Sequence, residues 1–133
     1  MMMNFGYRRV FLCDFESFKR IENGINVKNC ALLLPAFMAS EVESSLSFAL
    51  EAVRLGCKEV CCVGQFSDAL EDALDAVLEL NDRLEVVTTS SSEEGEALEY
   101  FLFGAGGGNP GMDLVAVVEN HPALRRALVT LIR

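Results

Sequence analysis

Five short, mainly apolar runs recur along the chain, separated by longer amphipathic segments. The runs are Arg8–Cys13, Cys30–Pro35, Glu59–Val63, Leu84–Thr88 and Leu114–Val118. Short apolar runs that are bounded by turn residues are typical of strands buried on both faces of a sheet. Because such strands need a covering layer on each side, this pattern constrains the fold more than any other feature of the sequence.

Helical patterns fill the intervals between these runs. In the first, Ser40 and Glu43 have the spacing of a capping box, and Gly56 stands where a helix C-cap is expected. Between them, apolar residues recur every three or four positions, as on the buried side of a helix. Further helices are predicted to begin near Ser67, near Ser91 and at Pro122.

The alternation of strands and helices predicts a single α/β domain over residues 1–133. We expect a small three-layer sandwich, Rossmann-like or flavodoxin-like, with about five mostly parallel strands and helices on both faces. The weakest part of the pattern is the stretch from Asp14 to Asn29, where Gly24 interrupts a short helical pattern. That stretch leaves the placement of the first strand open, with a sheet edge or an antiparallel pairing as the alternatives.

Acidic residues outnumber basic ones by 20 to 11, which gives a net charge of −9. This balance argues against nucleic acid as a partner, because phosphate contacts need clustered Lys and Arg. It also argues against binding to an anionic membrane surface. The acidity is concentrated in residues 41–99, which hold fifteen acidic and three basic residues.

The sequence predicts neither a signal peptide nor a membrane span. Only four apolar residues, Val10–Cys13, follow the arginine pair near the start, against roughly 7–15 in a secretory signal. The five cysteines are an odd set and lack the paired spacing of a zinc site, so we expect buried thiols. We therefore predict a soluble, cytoplasmic protein with no metal and no cofactor.

The segment from Val10 to Glu16 resembles the first motif of the haloacid-dehalogenase-like phosphatases, in which a strand is followed by Asp-x-Asp. Thr88 and Glu119 stand after later strands, in positions that resemble further motifs of that family. The resemblance implies phosphoryl transfer at the C-terminal ends of the strands, with Asp14 as nucleophile and Glu119 helping to hold Mg²⁺. However, Glu16 replaces the second Asp of the motif, and no lysine follows Lys58.

His121 is the only histidine of the chain. At the end of the last predicted strand it is a candidate general base, paired with Glu119. It also precedes Pro122, a favourable first residue of a helix, so that it can simply cap that helix. Together with Asp14, Glu16, Thr88 and Glu119, it completes the set of weak catalytic candidates.

The most distinctive pattern is a row of acids on the second predicted helix. It consists of Asp68, Asp72, Asp75, Glu79 and Asp82, at spacings of 4, 3, 4 and 3. These spacings place five carboxylates on one helical face, either as a solvated surface or as a docking site for a basic protein. Such charge asymmetry is similar to that of inhibitors and immunity proteins that neutralise nucleic-acid-binding enzymes.

The third predicted helix is apolar nearly all round. It has more apolar side chains than one buried face can hold. Three of them are candidates for the interface of a homodimer: Tyr100, Phe101 and Phe103. Taken together, the sequence favours a non-catalytic binding or regulatory protein that uses the acidic helix. The alternative is a small α/β enzyme or nucleotide-binding domain with a Mg²⁺-dependent phosphoryl-transfer site at the strand ends.

Overall fold

The computed structural model describes residues 1–133 and contains one mixed sheet of six strands. The strands are β1 (Met2–Phe5), β2 (Arg8–Cys13), β3 (Cys30–Pro35), β4 (Glu59–Val63), β5 (Val87–Ser91) and β6 (Asp113–Val117). Their order across the sheet is β1-β2-β6-β3-β4-β5, with β1 antiparallel to β2 and the other four pairings parallel. The predicted α/β class is confirmed, with six strands rather than about five.

Five helices accompany the sheet: α1 (Phe18–Ile21), α2 (Ala39–Arg54), α3 (Ser67–Leu80), α4 (Glu94–Glu99) and α5 (Pro122–Ile132). A π-helical turn at Tyr100–Gly104 continues α4, and short 3₁₀ turns lie at Glu22–Gly24, Val27–Asn29 and Ala105–Gly108. One hydrophobic cluster joins the sheet to α2 and α3, and a second joins it to α4 and α5. None of the helices has the length and apolar character needed to cross a bilayer.

The hairpin of β1 and β2 is absent from the sequence prediction. It turns at Gly6 and Tyr7, where Gly6 has a φ of +62°. A glycine with positive φ as the first of two turn residues suits the type II′ hairpin. The first predicted strand, β2, therefore has an antiparallel neighbour, and it lies inside the sheet because β6 pairs with its other side.

The start of α2 differs from the predicted capping box of Ser40 and Glu43. The helix begins at Ala39 and has Met38 as its N-cap residue, without a side-chain cap. Glu41 reaches back instead, and its Oε1 accepts a hydrogen bond from the Phe37 N–H at 2.8 Å. The carboxylate thereby satisfies a backbone donor near the helix start, which is the role the prediction gave to Glu43.

The fourth predicted strand is shifted along the chain. It was expected at Leu84–Thr88, but β5 occupies Val87–Ser91, and Leu84 is 72% exposed. The apolar-run criterion misses this strand because four of its five residues carry hydroxyl groups. Hydroxyls suit a strand when a neighbouring element supplies acceptors, as α3 does here.

Candidate functional site

The acids of α3 lie in two directions. Asp75 is turned toward β5 and accepts a hydrogen bond from Thr88 Oγ1 at 2.6 Å. Ser90 Oγ lies within hydrogen-bonding distance of Asp68 Oδ1, at 2.8 Å, and of Glu71 Oε1, at 2.7 Å. Glu71 was not part of the predicted row, because its role depends on a strand that is close only in the folded protein.

The remaining acids of the predicted row face solvent. Asp72 and Glu79 are exposed on α3. Asp82 lies past the end of the helix in the left-handed region, with a φ of +59°. The following Arg83 N–H donates to Leu78 O at 2.8 Å, as in a helix C-terminal motif. The helical row therefore has four of the five predicted members, and Asp82 belongs to the turn after it.

Cations are nearly absent around these carboxylates. The ion pairs of the protein are Arg9–Asp113, Arg54–Glu51, Arg83–Glu85, His121–Glu41 and Arg125–Glu119. None of them includes a residue of α3 or α4. Arg83 is the only lysine or arginine between residues 59 and 124, and its Nε lies 2.6 Å from Glu85 Oε1. The negative potential of α3 and α4 is therefore not neutralised within the protein.

Two of the weak catalytic candidates end neighbouring strands. Asp14 follows β2 and Glu119 follows β6, and the Glu119 N–H donates to Cys13 O at 3.2 Å. Both carboxylates have local partners. Asp14 Oδ1 accepts from the Ser17 N–H at 2.6 Å, which lowers the pKa of Asp14, and Glu119 pairs with Arg125 at 3.2 Å.

The other members of the implied phosphatase-like site lie elsewhere. Thr88 is inside β5, at the far edge of the sheet from β2, and bonds to Asp75. Glu16 is exposed. No group of three or more His, Cys, Asp or Glu side chains is arranged to hold a metal ion. The structure thus brings Asp14 and Glu119 to adjacent strand ends and leaves Thr88 apart from them.

His121 has a different acidic neighbour from the one predicted. Its Nε2 lies 2.5 Å from Glu41 Oε2, while Glu119 pairs with Arg125. The Phe37 ring packs on the imidazole at a centroid distance of 4.7 Å. His121 and Phe37 line an open groove of about 280 Å³ beside the N-terminus of α5. Glu41 was missed because only the adjacency of β3 and β6 brings it to His121.

The aromatic residues of the third predicted helix separate into core and surface. Phe101 is fully buried, so it does not lie on the surface assigned to it. The π-helical turn changes the direction of successive side chains, which an α-helical pattern does not anticipate. Phe103 is 63% exposed and packs edge-on against Phe5, and the Tyr100 hydroxyl donates to Glu59 Oε2 at 2.7 Å.

All five cysteines are free and buried. Burial raises the pKa of Cys13 and that of Cys62 to about 12. Both thiols are therefore protonated at neutral pH and poorly suited to act as nucleophiles.

Comparisons of the chain with protein-family models, with curated proteins and with solved structures found no match.

Proposed function

We propose that this protein is a non-catalytic binding protein that engages a basic protein partner through its acidic helix α3. The observation that carries the proposal is the absence of α3 and α4 from every ion pair of the protein. Like charges at helical spacing destabilise a helix by a few tenths of a kcal/mol per pair. A partner with a basic surface would remove that repulsion, so complex formation is favoured by the charges that the free protein leaves uncompensated.

The exposed members of the row define how a partner would be recognised. Asp72 and Glu79 are seven positions apart and project from the same side of α3. Lysines or arginines of the partner would meet both, as in inhibitors and immunity proteins that cover the basic face of a nucleic-acid-binding enzyme. Because exposed charges are screened beyond about 10 Å at 0.1 M salt, the association would weaken as salt is added.

The test is zero-length cross-linking in host lysate, since a carbodiimide joins a carboxylate to a lysine amine with loss of water. We expect cross-links from Asp72 and Glu79 to lysines of one basic protein, identified by mass spectrometry. The double variant Asp72→Lys/Glu79→Lys should lose them.

The matched control is Glu43→Lys/Glu51→Lys, which changes two exposed acids of the neighbouring α2 and alters net charge equally. The control should retain the cross-linked partner. If both variants lose it equally, total charge rather than α3 is responsible. If neither variant changes what is captured, the proposed function is wrong.

Three further features complete the proposal. The packing of α2 and α3 on one hydrophobic cluster and α4 and α5 on the other supports a three-layer, Rossmann-like sandwich. The exposed Phe103 beside Phe5 supports a homodimer. The five free cysteines suit the reducing cytoplasm.

A second candidate function is favoured by the position of Glu41 and His121. They lie where the strand order reverses, between β3 and β6, and open α/β sheets bind ligands at such points. A nucleotide or phosphorylated substrate with Mg²⁺ would also meet Asp14 and Glu119 along the same end of the sheet. Calorimetric titration with a nucleoside triphosphate and Mg²⁺ tests this. Binding that His121→Asn removes would favour it, and the absence of binding would rule it out for nucleotides.

A further inference from the structure

β5 is the last strand of the sheet, and one of its sides has no neighbour. It bonds to β4 through alternate residues. The Val87 N–H donates to Lys58 O at 2.9 Å, and Ser91 O accepts from the Gly64 N–H at 3.1 Å. In a parallel ladder the intervening residues direct their N–H and C=O groups to the opposite side. Thr88 and Ser90 therefore present unpaired backbone groups along the open edge.

This edge lacks the usual protection against strand addition. Natural edge strands are commonly shielded by charged side chains, proline or a bulge. The sequence of β5, Val-Thr-Thr-Ser-Ser, contains neither charge nor proline, and its five residues pair with β4 in continuous register. An extended segment can therefore pair along the whole length of β5.

Acidic residues flank the open edge on both faces of the sheet. On one side α3 contributes Asp68, Glu71 and Asp75, which lie within hydrogen-bonding distance of the hydroxyls of Ser90 and Thr88. On the other side Glu96 of α4 lies beside Thr89 and Ser91. Basic side chains are confined to the start of the strand, where Lys58 lies beside Val87 and Arg83 pairs with Glu85.

An added strand would meet both acidic sides. Its successive side chains point alternately to the two faces of the sheet. One set would approach the carboxylates of α3. The other set would approach a small cavity of about 160 Å³ beside Thr89, Ser91, Glu96 and Tyr100. Because both sides are acidic, lysine or arginine is favoured among the side chains of the added strand on each face of the sheet.

We propose that β5 accepts an extended segment, rich in lysine and arginine, from a partner protein as a seventh strand of the sheet. The proposal rests on the proposed function and specifies how the basic partner is held. Backbone hydrogen bonds to Thr88 and Ser90 supply the pairing, and the two acidic sides supply the preference for basic sequences.

The experiment uses the full chain and a synthetic peptide of about ten residues that repeats Lys-Lys-Val-Val, so that each face of an added strand carries lysines. Amide hydrogen exchange of each residue is followed by NMR, with and without the peptide. We expect exchange at Thr88 and Ser90 to slow by about tenfold or more, because strand addition protects these amides. The Thr89 amide, which already faces β4, should change little.

A control peptide of identical sequence carries methyl groups on consecutive backbone nitrogens along its length, so that it keeps its charge but neither of its edges can pair as a strand. Binding of the control should be weaker by about tenfold, corresponding to about 1.4 kcal/mol. If both peptides bind equally and only α3 resonances shift, strand addition is wrong and the proposed function stands. If neither peptide binds and Asp72→Lys/Glu79→Lys leaves the cross-linked partner unchanged, both proposals fail.

Discussion

Charged residues have different roles in two regions of this sheet. At the N-terminal end of the strands, Arg8 and Glu59 are buried, at 5% and 4% exposure, and each binds several groups. The Arg8 guanidinium donates to Phe101 O at 3.1 Å and to Ala105 O at 2.8 Å. Glu59 accepts from the Tyr100 hydroxyl at 2.7 Å and from the Gly106 N–H at 2.8 Å. Along β5 and α3, by contrast, the acids bind hydroxyls or face solvent.

The contrast shows which charges hold the fold together. Arg8 and Glu59 stabilise the π-helical turn and the glycine-rich loop that follows it. They bind backbone groups there that would otherwise lack hydrogen-bond partners. Removing either Arg8 or Glu59 would leave the charge of the other uncompensated in the protein interior. The exposed acids of α3, Asp72 and Glu79, make no such contacts, so we expect their substitution to change stability little and to weaken the proposed association strongly.

The largest effect is expected from Glu59→Leu. This variant leaves the Gly106 N–H and the Tyr100 hydroxyl without an acceptor and deprives Arg8 of its nearby opposite charge. We expect the free energy of unfolding to fall by about 3 kcal/mol, measured by urea denaturation. Glu43→Leu, at an exposed position of α2, is the control and should change it by less than about 0.5 kcal/mol. Equal losses in the two variants would contradict the special role of Glu59.

The surroundings of Tyr100 indicate that its hydroxyl loses its proton at a higher pH than that of an ordinary tyrosine. Burial, with the hydrogen bond to Glu59, raises the pKa of Tyr100. Stability from this contact is complete below the pKa of an unfolded tyrosine and is lost as the pH rises through the higher folded value. In Tyr7→Phe, Tyr100 is the only remaining tyrosine, so its phenolate absorbance can be followed alone. Titration near pH 10, the ordinary value, in the folded protein would refute the contact.

A smaller effect is expected where α3 meets β5. Thr88→Val removes the hydroxyl that donates to Asp75, and we expect a loss of about 1 kcal/mol in stability. Since Asp75 is only half-buried, water can replace part of the lost bond. A double-mutant cycle with Asp75→Ala measures the coupling, and strictly additive losses would show that the two side chains do not interact.

The smallest change in stability is expected on the outer side of α3. Asp72→Lys/Glu79→Lys replaces like charges with opposite ones at helical spacing, so the free energy of unfolding should rise by about 0.5 kcal/mol. Thermal unfolding at low salt measures it. If the free energy of unfolding instead fell by more than about 1 kcal/mol, Asp72 and Glu79 would contribute to stability as Arg8 and Glu59 do. The contrast between the two regions would then be wrong.

The strands of the sheet interior are those the sequence predicts best. The bounds of β2, β3 and β4 agree with the prediction, and β6 differs from it by one residue at each end. Burial on both faces leaves a clear apolar run in the sequence. β1 and β5 lie at the edges and lack that signal: one depends on the turn at Gly6, and the other on hydroxyl partners in α3.

The sequence predicted the placement of candidate residues where helical spacing or the common end of parallel strands defines it, as at Asp14 and Glu119. The spacing of α3 predicted that Asp72 and Glu79 share one exposed face, because helical periodicity is local. Glu71 and Glu41 were missed, since Ser90 and His121 come close to them only through tertiary structure. Phe101 was misassigned because the π-helical turn alters side-chain direction without an obvious mark in the sequence.

The pairing of β2 with β6 also has a consequence for the order of folding. Val10 lies beside Leu114, so two neighbouring strands of the sheet interior are separated by nearly the whole chain. Closing so long a loop is slow, and contacts of this kind lower folding rates. The hairpin of β1 and β2 is local and can form early, but β2 cannot join the sheet before β6 is in place. We therefore expect docking of the N-terminal hairpin onto the sheet to be a late step of folding.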